Sequence, residues 1–199
     1  MGGVDVTRVL LVHDSCLMRS ALAERLAREP DLEVHHTPWR GAPRQVGALR
    51  PQICVADLEC EPAYGIPPLG ELRCSLVVLG TPTRPGLLRR AMEAKALGYV
   101  DRAGPVERLL AGIRHAARGE RFIDEALGFG FLKAAQNPLT RRELIVLSLA
   151  AEGAPVAEIA RRLHLSRGTV RNYMAAITRK IGARNRIDAI RISQGEGWL

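Results

Sequence analysis

The segment from residue 139 to residue 182 limits the possible folds of this chain more than any other part. It reads LTRRELIVLSLAAEGAPVAEIARRLHLSRGTVRNYMAAITRKIG. A first predicted helix begins at a threonine cap and ends at a glycine, a short helix follows, and a Leu-Ser-Arg-Gly-Thr turn precedes a third helix. The third helix carries Arg171, Asn172, Arg179 and Lys180. A basic helix held against a small helical support is the geometry that enters the major groove of DNA.

The positive charge of the chain is concentrated in its carboxyl-terminal third. The 199 residues carry a formal net charge of +8. Residues 137–199 hold 11 basic and 5 acidic side chains, whereas residues 1–136 hold 18 and 16. An excess confined to one segment is expected where that segment meets a polyanion. Arginine outnumbers lysine by 26 to 3, which suits phosphate and guanine recognition, although a GC-rich genome produces the same bias.

Cysteine usage and hydropathy indicate a cytoplasmic protein. Cys16, Cys54, Cys60 and Cys74 show neither a CxxC pair nor the spacing of a zinc site, so we expect four reduced thiols. A redox switch at Cys60, three residues after Asp57, is the alternative. Charged residues interrupt the early apolar stretch, and no run approaches the roughly 20 apolar residues of a membrane span. We therefore expect neither a signal peptide nor a membrane partner.

Strand-like and helix-like segments alternate between residues 8 and 118. This alternation predicts a five-stranded parallel sheet with helices on both faces. Side chains at the carboxyl ends of such strands gather in one crevice, so Asp14, Asp57, Gly80 and Arg102 are predicted to meet. Prolines and glycines within residues 59–73 disfavour a long helix there.

Residues in both halves of the chain match known families. In the second half the matching residues are Leu139, Thr140, Arg142, Glu143, Ala151-Glu152-Gly153, Glu158-Ile159-Ala160, Leu163, Leu165-Ser166, Gly168-Thr169-Val170, Lys180 and Gly182. Through them, residues 137–199 resemble a LuxR-type helix-turn-helix domain. In the first half the matching features are VLLVHD, RPQICVADL, Gly65, GYVDRAG and a helix ending in ARGE. Through these, residues 8–118 resemble the receiver domain of a response regulator, and the whole chain resembles the NarL/FixJ group of two-component regulators.

The resemblance implies a fold, a domain order and a function. The fold is a doubly wound, flavodoxin-like α/β receiver at residues 1–118, a linker with room for a short helix at 119–137, and an all-α domain of four helices at 138–199. The implied function is sequence-specific regulation of transcription by a homodimer on double-stranded DNA, with a sensor kinase as a further partner. We do not expect an enzyme, because the chain has no Ser-His-Asp order, zinc motif or phosphate-binding glycine loop.

The third helix of the second half carries the predicted DNA contacts. Ser166 is predicted to cap it, since its hydroxyl can accept from free amides at the helix start. Arg171 and Asn172 are placed for base edges, where arginine pairs with guanine and asparagine with adenine. Ala175 occupies a position that often reaches a base in the family and offers only apolar contact. Phosphate contacts are assigned to Arg167, Thr169, Tyr173, Arg179 and Lys180. The alternative is a solvated basic face without a partner.

The last predicted helix, residues 185–194, carries apolar residues that one domain need not bury completely. One edge must pack on its own domain, and the resemblance implies that another edge pairs two subunits. Ile187, Ile190 and Arg191 are the predicted dimer contacts. The alternative is that the isoleucines and Ala189 all belong to the core of the domain. A dimer on DNA would require half-sites related by twofold symmetry.

The resemblance also assigns a phosphoryl-acceptor pocket, and several of its positions depart from the family. Asp57 matches the acceptor and Asp14 matches one of two acidic positions. These two are weak candidate ligands for Mg²⁺, the one cofactor expected, and only if Asp57 is phosphorylated. The remaining family positions hold His13 for the second acid, Gly80 with Thr81 beside it for the hydroxyl, Arg102 for the lysine and Tyr99 for the switch aromatic.

These departures change the expected chemistry of the pocket. His13 removes a negative charge and a hard oxygen ligand, and Gly80 cannot donate a hydrogen bond. Arg102 can form a forked pair with Asp57 without any phosphate. We therefore expect a receiver that ordinary phosphorylation does not control, and that is constitutively dimeric or answers to a small-molecule ligand or a protein.

Three alternatives stay open at this stage. The first is a conventional phosphorylated switch that uses Asp57, with Thr81 supplying the hydroxyl. The second is a purely structural role for Asp57 as a buried acid. The third is a protein-binding adaptor with weak DNA binding, which competitor DNA would distinguish from a specific regulator.

Overall fold

The computed structural model describes residues 6–60, 74–134 and 137–199. The chain divides into two compact units. The sheet unit comprises residues 1–82 and 87–131, and the helical unit comprises residues 83–86 and 132–199. Among the described residues, no helix combines the length and the hydropathy needed to cross a membrane.

The sheet unit is built on one parallel sheet with the strand order β2-β1-β3-β4-β5-β6. Its strands are β1 (Thr7–Val12), β2 (Leu32–Thr37), β3 (Ile53–Asp57), β4 (Ser75–Gly80), β5 (Gly98–Asp101) and β6 (Phe122–Ile123). The central strands read as continuous apolar runs because both faces of the sheet are covered. Non-consecutive neighbours such as β1 and β3 give the doubly wound order that the sequence predicts.

The sheet has six strands rather than the five expected from sequence. The sixth, β6, pairs with β5 through a hydrogen bond from Phe122 N to Leu97 O (2.9 Å) and one from Asp124 N to Tyr99 O (2.8 Å). A strand of two residues is too short to show an alternating pattern, so the sequence gives no signal for it. Residues assigned from sequence to a linker thus extend the sheet and cover its β5 edge.

Helices cover both faces of the sheet, and alternate strand residues face each layer. Val9 and Leu11 belong to the cluster that includes residues of α1 (Cys16–Leu26) and α4 (Val106–Ala117). Leu10 and Val12 belong to the opposite cluster, with residues of α2 (Ala42–Leu49) and of α3 (Pro85–Glu93) from Leu87 onward. Short 3₁₀ turns at Trp39–Gly41, Leu58–Cys60 and Glu125–Leu127 follow β2, β3 and β6.

The register of the central strands brings the functional positions together. Val12 pairs with Ala56, so the next residues along β1 and β3, His13 and Asp57, lie side by side. Gly80 pairs with Asp101, which places Arg102 one residue beyond the carboxyl end of the neighbouring strand.

After α5 (Gly128–Ala134), the helical unit contains α6 (Arg141–Ala151), α7 (Val156–Arg162), α8 (Arg167–Lys180) and α9 (Arg186–Gly195). Its core includes Val146 and Leu147 of α6, Ile159 of α7, and Val170 and Ile177 of α8. The Ser166 hydroxyl accepts a hydrogen bond from Thr169 N (3.0 Å), so α8 begins at Arg167. The turn before α8 is therefore shorter than the predicted Leu-Ser-Arg-Gly-Thr turn, because the serine cap draws Gly168 and Thr169 into the helix.

Candidate functional site

The first candidate site is the acceptor pocket, which we define as Asp57 with His13, Cys60 and Arg102. Asp57 ends β3 and is fully buried (0% exposed). Its Oδ1 accepts a hydrogen bond from Glu59 N (2.9 Å), and its Oδ2 lies 2.9 Å from His13 Nε2 and 2.8 Å from Arg102 Nε. A buried carboxylate is stable only when its oxygens are satisfied in this way.

The hydrogen bonds of His13 assign its tautomer. Ser15 N donates to His13 Nδ1 (3.0 Å), so Nδ1 is unprotonated and the ring proton is on Nε2. Nε2–H therefore donates to Asp57 Oδ2. Burial lowers the pKa of His13 and outweighs the opposing effect of Asp57, so the ring is neutral near pH 7. His13 thus adds a hydrogen bond to the pocket without adding a charge.

Arg102 supplies the positive charge of the pocket. Its side chain is 43% exposed and holds Asp57 through one hydrogen bond from Nε. That hydrogen bond raises the pKa of Arg102 above its already high value. The forked pair predicted from sequence is therefore wrong, because among the described residues only Nε, and not the planar fork of terminal nitrogens, reaches the carboxylate. Its backbone N also donates to Gly80 O (2.8 Å), which fixes where the side chain starts.

Asp14 does not join the acceptor pocket. It is exposed, and its Oδ1 accepts a hydrogen bond from Trp39 N (2.8 Å). Trp39 is buried and its indole Nε1 donates to the backbone carbonyl of Asp57 (3.2 Å). Asp14 thus holds the turn that packs Trp39 behind the acceptor, a contact between distant residues that local spacing does not predict.

Gly80 lies close to the side chain of Leu88. A Cβ added there would lie 3.0 Å from Leu88 Cδ2, tighter than an ordinary contact. A serine or threonine at this position would therefore require Leu88 to shift. Thr81, the next residue, is partly exposed at the end of β4.

Tyr99, at the position of the switch aromatic, points into the core and is 2% exposed. Phe131 of α5 packs against it edge-on, with ring centroids 5.0 Å apart. Burial raises the pKa of the Tyr99 hydroxyl. Phe131 was not singled out from the sequence, because its place beside Tyr99 depends on the pairing of β6 with β5, which precedes α5 in the chain.

Cys60 also lies in the pocket, although the sequence offered it only as an alternative redox switch. Its Sγ lies 3.8 Å from Asp57 Oδ2 and 3.8 Å from His13 Nδ1. Burial and the nearby Asp57 raise the pKa of the thiol, so it stays protonated at neutral pH. The three residues resemble a Cys-His-Asp arrangement, but a protonated thiol is a poor nucleophile, and the geometry does not support catalysis.

The second candidate site is the exposed face of α8. Arg167, Arg171, Asn172, Ala175 and Arg179 are all exposed. Among the described residues, neither these three arginines nor Asn172 has a side-chain hydrogen bond or ion pair. Three unpaired guanidinium groups on one helix form a surface that attracts anions.

Two residues of α8 assigned to phosphates have contacts inside the protein. Lys180 Nζ lies 2.8 Å from Glu143 Oε2, and Glu143 is buried. Glu143 also accepts from Thr140 N (2.7 Å) and completes a capping box at the start of α6. Tyr173 is half-buried against the core of the helical unit. The Thr-x-x-Glu pattern was a readable signal for the capping box.

The exposed edge of α9 is apolar. Ile187 is 78% exposed, whereas Ala189 is fully buried and Ile190 packs partly against the core. Arg191 Nη2 donates to Asp188 Oδ1 (2.8 Å) across one helical turn. The isoleucines therefore do not all belong to the core of the unit.

Comparison with known proteins identifies the family. Residues 137–193 match the model of the LuxR family of bacterial regulatory proteins. The chain is 51% identical to the response regulator RamR of Streptomyces coelicolor over 199 residues, covering 98% of both chains. The chain is a response regulator. It belongs to the NarL/FixJ type, with a LuxR-type DNA-binding domain, and its relatives are transcriptional regulators rather than enzymes.

Further relatives agree with this assignment. The regulator is 35% identical to the transcriptional regulatory protein DesR of Bacillus subtilis over 196 residues, which covers 96% of this chain and 98% of DesR. The fold resembles that of RcsB from Salmonella enterica serovar Typhimurium bound to promoter DNA, with a TM-score of 0.65 and 19% identity over 95% of this chain and 98% of that one.

The acceptor pocket of this regulator does not fit the Mg²⁺ that the family implies. Magnesium requires oxygen ligands in near-octahedral geometry. Here Asp57 Oδ2 is held by Arg102 and His13, and Asp14 Oδ1 is held by Trp39 N. Among the described residues, Asp14 is also not part of the group whose ligand atoms lie within 4.8 Å of one another; that group is His13, Asp57 and Cys60.

Proposed function

We propose that this response regulator is a sequence-specific transcription factor that binds double-stranded DNA through α8. The observation that carries the proposal is the exposed face of α8, whose arginines have no partner among the described residues. Charges already neutralised within a protein release few counterions from DNA, whereas unpaired arginines neutralise phosphates directly. The match to the LuxR family over residues 137–193 supports the same conclusion.

Each residue of this face has a proposed role. Arg171 and Asn172, near the amino terminus of α8, read base edges, and Ala175 contacts an apolar group such as a thymine methyl. Arg167, Thr169, Tyr173 and Arg179 position the helix on phosphates, while Ser166 caps it. We assign Lys180 mainly to Glu143, because their ion pair fixes the end of α8 against the start of α6.

The regulator is proposed to bind as a homodimer. An isoleucine as exposed as Ile187 is unfavourable in water unless a partner covers it, and Ile190 and Arg191 flank it on the same helix. A twofold axis through α9 would place the two α8 helices on half-sites related by symmetry. Replacing Ile187 by Ser is expected to weaken dimerisation, measured by sedimentation, and to leave the helical content unchanged.

We further propose that ordinary phosphorylation does not control the receiver. The support is that Asp57 is buried and that three nitrogen donors already occupy its two oxygens. An incoming phosphoryl group would have to break the contacts with His13 and Arg102 without the help of a second acidic ligand. Instead, the receiver answers to a small-molecule ligand or a protein, or the dimer is constitutive. The regulator acts in the cytoplasm.

Two experiments test these proposals separately. A gel shift on genomic fragments with excess competitor DNA tests specific binding, since an adaptor with weak DNA binding would lose all shifted species. Incubation with Mg²⁺ and beryllofluoride tests the receiver, with dimerisation and DNA affinity as readouts. A clear gain in both would favour a conventional switch through Asp57 and would reject phosphorylation independence.

A further inference from the structure

The acceptor pocket offers a donor set of a different chemical class from the one that Mg²⁺ requires. One imidazole, one carboxylate and one thiol converge, with ligand atoms within 4.8 Å of one another. Imidazole and thiolate ligands are preferred by Zn²⁺ and other borderline-soft cations, whereas Mg²⁺ prefers oxygen. His13 therefore does more than remove an oxygen ligand, because together with Cys60 it changes which cation the pocket suits.

We propose that His13, Asp57 and Cys60 form a three-ligand site for a borderline-soft divalent cation of the Zn²⁺ class. The inference extends the proposed function, since a cation that displaces Arg102 would supply the signal that phosphorylation does not. It is nevertheless tested without DNA, so that its failure would leave the DNA-binding proposal intact.

The distances require only small movements of side chains. Zn²⁺ bonds of 2.0–2.3 Å place tetrahedral ligand atoms about 3.3–3.7 Å apart. The separation of Cys60 Sγ and Asp57 Oδ2 is 3.8 Å, and that of His13 Nε2 and Asp57 Oδ2 is 2.9 Å. Asp57 and His13 stand at the ends of paired strands, and the hydrogen bond from Glu59 N to Asp57 Oδ1 holds the turn that carries Cys60. The ligands are therefore largely in place.

Space for solvent or a small ligand adjoins two of the three proposed ligands, His13 and Asp57. A cleft of about 80 Å³ is lined by His13, Asp57 and Arg102 together with apolar side chains including Met18, Val106 and Leu109. A water molecule needs roughly 10–15 Å³ of such space, so the cleft holds several. Sites with three protein ligands and one open position are those in which Zn²⁺ exchanges or reacts, whereas closed four-ligand sites are structural.

Cation binding would move one proton within His13 and release one proton from Cys60. The cation bonds to Nε2 of His13, to Oδ2 of Asp57 and to the sulfur of Cys60. The Nε2 proton moves to Nδ1, which lies 3.8 Å from the sulfur and loses the hydrogen bond from Ser15 N. Because Ser15 is an exposed residue, its amide can then bond to water. The thiol proton of Cys60 is released to solvent, so one proton leaves per cation bound.

Arg102 is the competitor for this site. Its guanidinium holds Asp57 Oδ2, the oxygen that the cation would use, and its charge repels a dication. Because its side chain is 43% exposed, it can withdraw into solvent. Arg102, which occupies the carboxylate oxygen that Mg²⁺ would need, therefore also determines the concentration at which a softer cation binds.

The test is a titration of the full-length protein with Co²⁺ and with Zn²⁺ against a chromophoric chelator. We expect one ion per chain, a thiolate-to-cobalt charge-transfer band in the near ultraviolet, and no comparable binding of Mg²⁺. Absence of the band, or of binding at micromolar Zn²⁺, would overturn the proposal.

Two variants identify the ligands without depending on buried positions. Cys60→Ser should weaken Zn²⁺ binding more than about 100-fold, the upper end of what loss of a supporting contact costs. The matched control Cys16→Ser, an exposed cysteine, should bind as the wild type does. Arg102→Gln should tighten binding by about tenfold, because it removes one repulsive charge. Unchanged affinity in Cys60→Ser, or weaker binding in Arg102→Gln, would reject the site.

Discussion

The sheet unit and the exposed face of α8 use arginine in opposite ways. Eight arginines of the sheet unit pair with carboxylates, namely Arg8, Arg25, Arg28, Arg89, Arg102, Arg108, Arg114 and Arg118. On the exposed face of α8, by contrast, Arg167, Arg171 and Arg179 have no side-chain partner among the described residues. The net charge of a segment therefore understates the contrast, because what attracts a polyanion is charge that the protein has not already neutralised.

The same contrast separates positions whose loss affects folding from positions whose loss affects binding. Arg102 satisfies a buried carboxylate, so its removal leaves an uncompensated charge. The exposed Arg171 side chain has no hydrogen bond or ion pair within the described part of the chain, so its removal should leave the fold unchanged and the DNA complex weaker.

Removing Arg102 should produce the largest change in stability. Arg102→Ala leaves Asp57 buried with only neutral donors, and we expect a loss of about 1–3 kcal/mol in the free energy of unfolding, reduced from the fully buried case because Arg102 is partly exposed. Urea unfolding followed by Trp39 fluorescence in a Trp198→Phe background measures it. The control Arg89→Ala, which breaks an exposed pair with Glu93, should change stability by under about 0.5 kcal/mol. Equal losses in both variants would contradict a special role for Asp57.

Removing Arg171 should chiefly affect sequence-specific DNA binding. Arg171→Ala is expected to lose about 1–3 kcal/mol of binding free energy on a selected operator and much less on random DNA. Fluorescence anisotropy on both DNAs measures the two affinities, and circular dichroism checks that the helices are intact. Equal losses on operator and random DNA would show that Arg171 contacts phosphate rather than a base edge.

Glu143 should stabilise the helical unit in a pH-dependent way. Burial alone would raise the pKa of the Glu143 carboxyl, but hydrogen bonds from Lys180 and Thr140 outweigh it and hold the pKa below its ordinary value. A carboxyl with a lowered pKa stabilises the fold fully above its unfolded pKa of about 4.5, and the contribution is lost as pH falls below that value.

The variant Glu143→Ala tests this contribution. It should destabilise the helical unit by about 1–2 kcal/mol at pH 7. It should also reduce the further loss of stability that the wild type shows as pH falls below about 4.5. Thermal unfolding across this range provides the measurement. The control Glu152→Ala breaks only an exposed pair with Arg162 and should retain the wild-type pH dependence. Asp188, whose pKa is lowered to about 2 by hydrogen bonds from the Arg184 backbone and from Arg191, contributes a further loss at more acidic pH in every variant.

Removing Arg179 should have the smallest effect. Arg179→Ala is expected to weaken operator and random DNA about equally and to reduce the slope of log affinity against log salt by about one. The free energy of unfolding should change by under about 0.5 kcal/mol, because the side chain is exposed and has no ion pair with any residue that the structure describes. A selective loss of affinity for operator DNA would show that Arg179 contacts a base edge rather than a phosphate.

The features that could be predicted from sequence are those set by local periodicity. The apolar runs of β1, β3, β4 and β5 locate their carboxyl ends, so Asp57, Gly80 and Arg102 could be placed in one region from the sequence, whereas Asp14, predicted to join them, does not. The Ser166 cap and the exposed basic face of α8 follow in the same way from helix spacing.

The features that could not be predicted depend on contacts distant in sequence. The sequence offers Asp14 as a pocket carboxylate, yet the free amide of Trp39, 25 residues away, holds its side chain. Lys180 looks like one more phosphate contact, yet Glu143, 37 residues earlier, holds its ammonium. In both cases a polar partner distant in sequence determines the orientation of the side chain, and local spacing carries no record of it.

The short strand β6 has a practical consequence for dividing the protein. A fragment that stops at Arg118 would lose β6, so the β5 edge of the sheet would be uncovered at Gly98 and Tyr99, and Phe131 would no longer pack against Tyr99. An open edge of this kind invites self-association, so such a fragment should aggregate whatever its behaviour inside the intact chain. Fragments intended for studying the amino-terminal half on its own therefore need to run past Phe131.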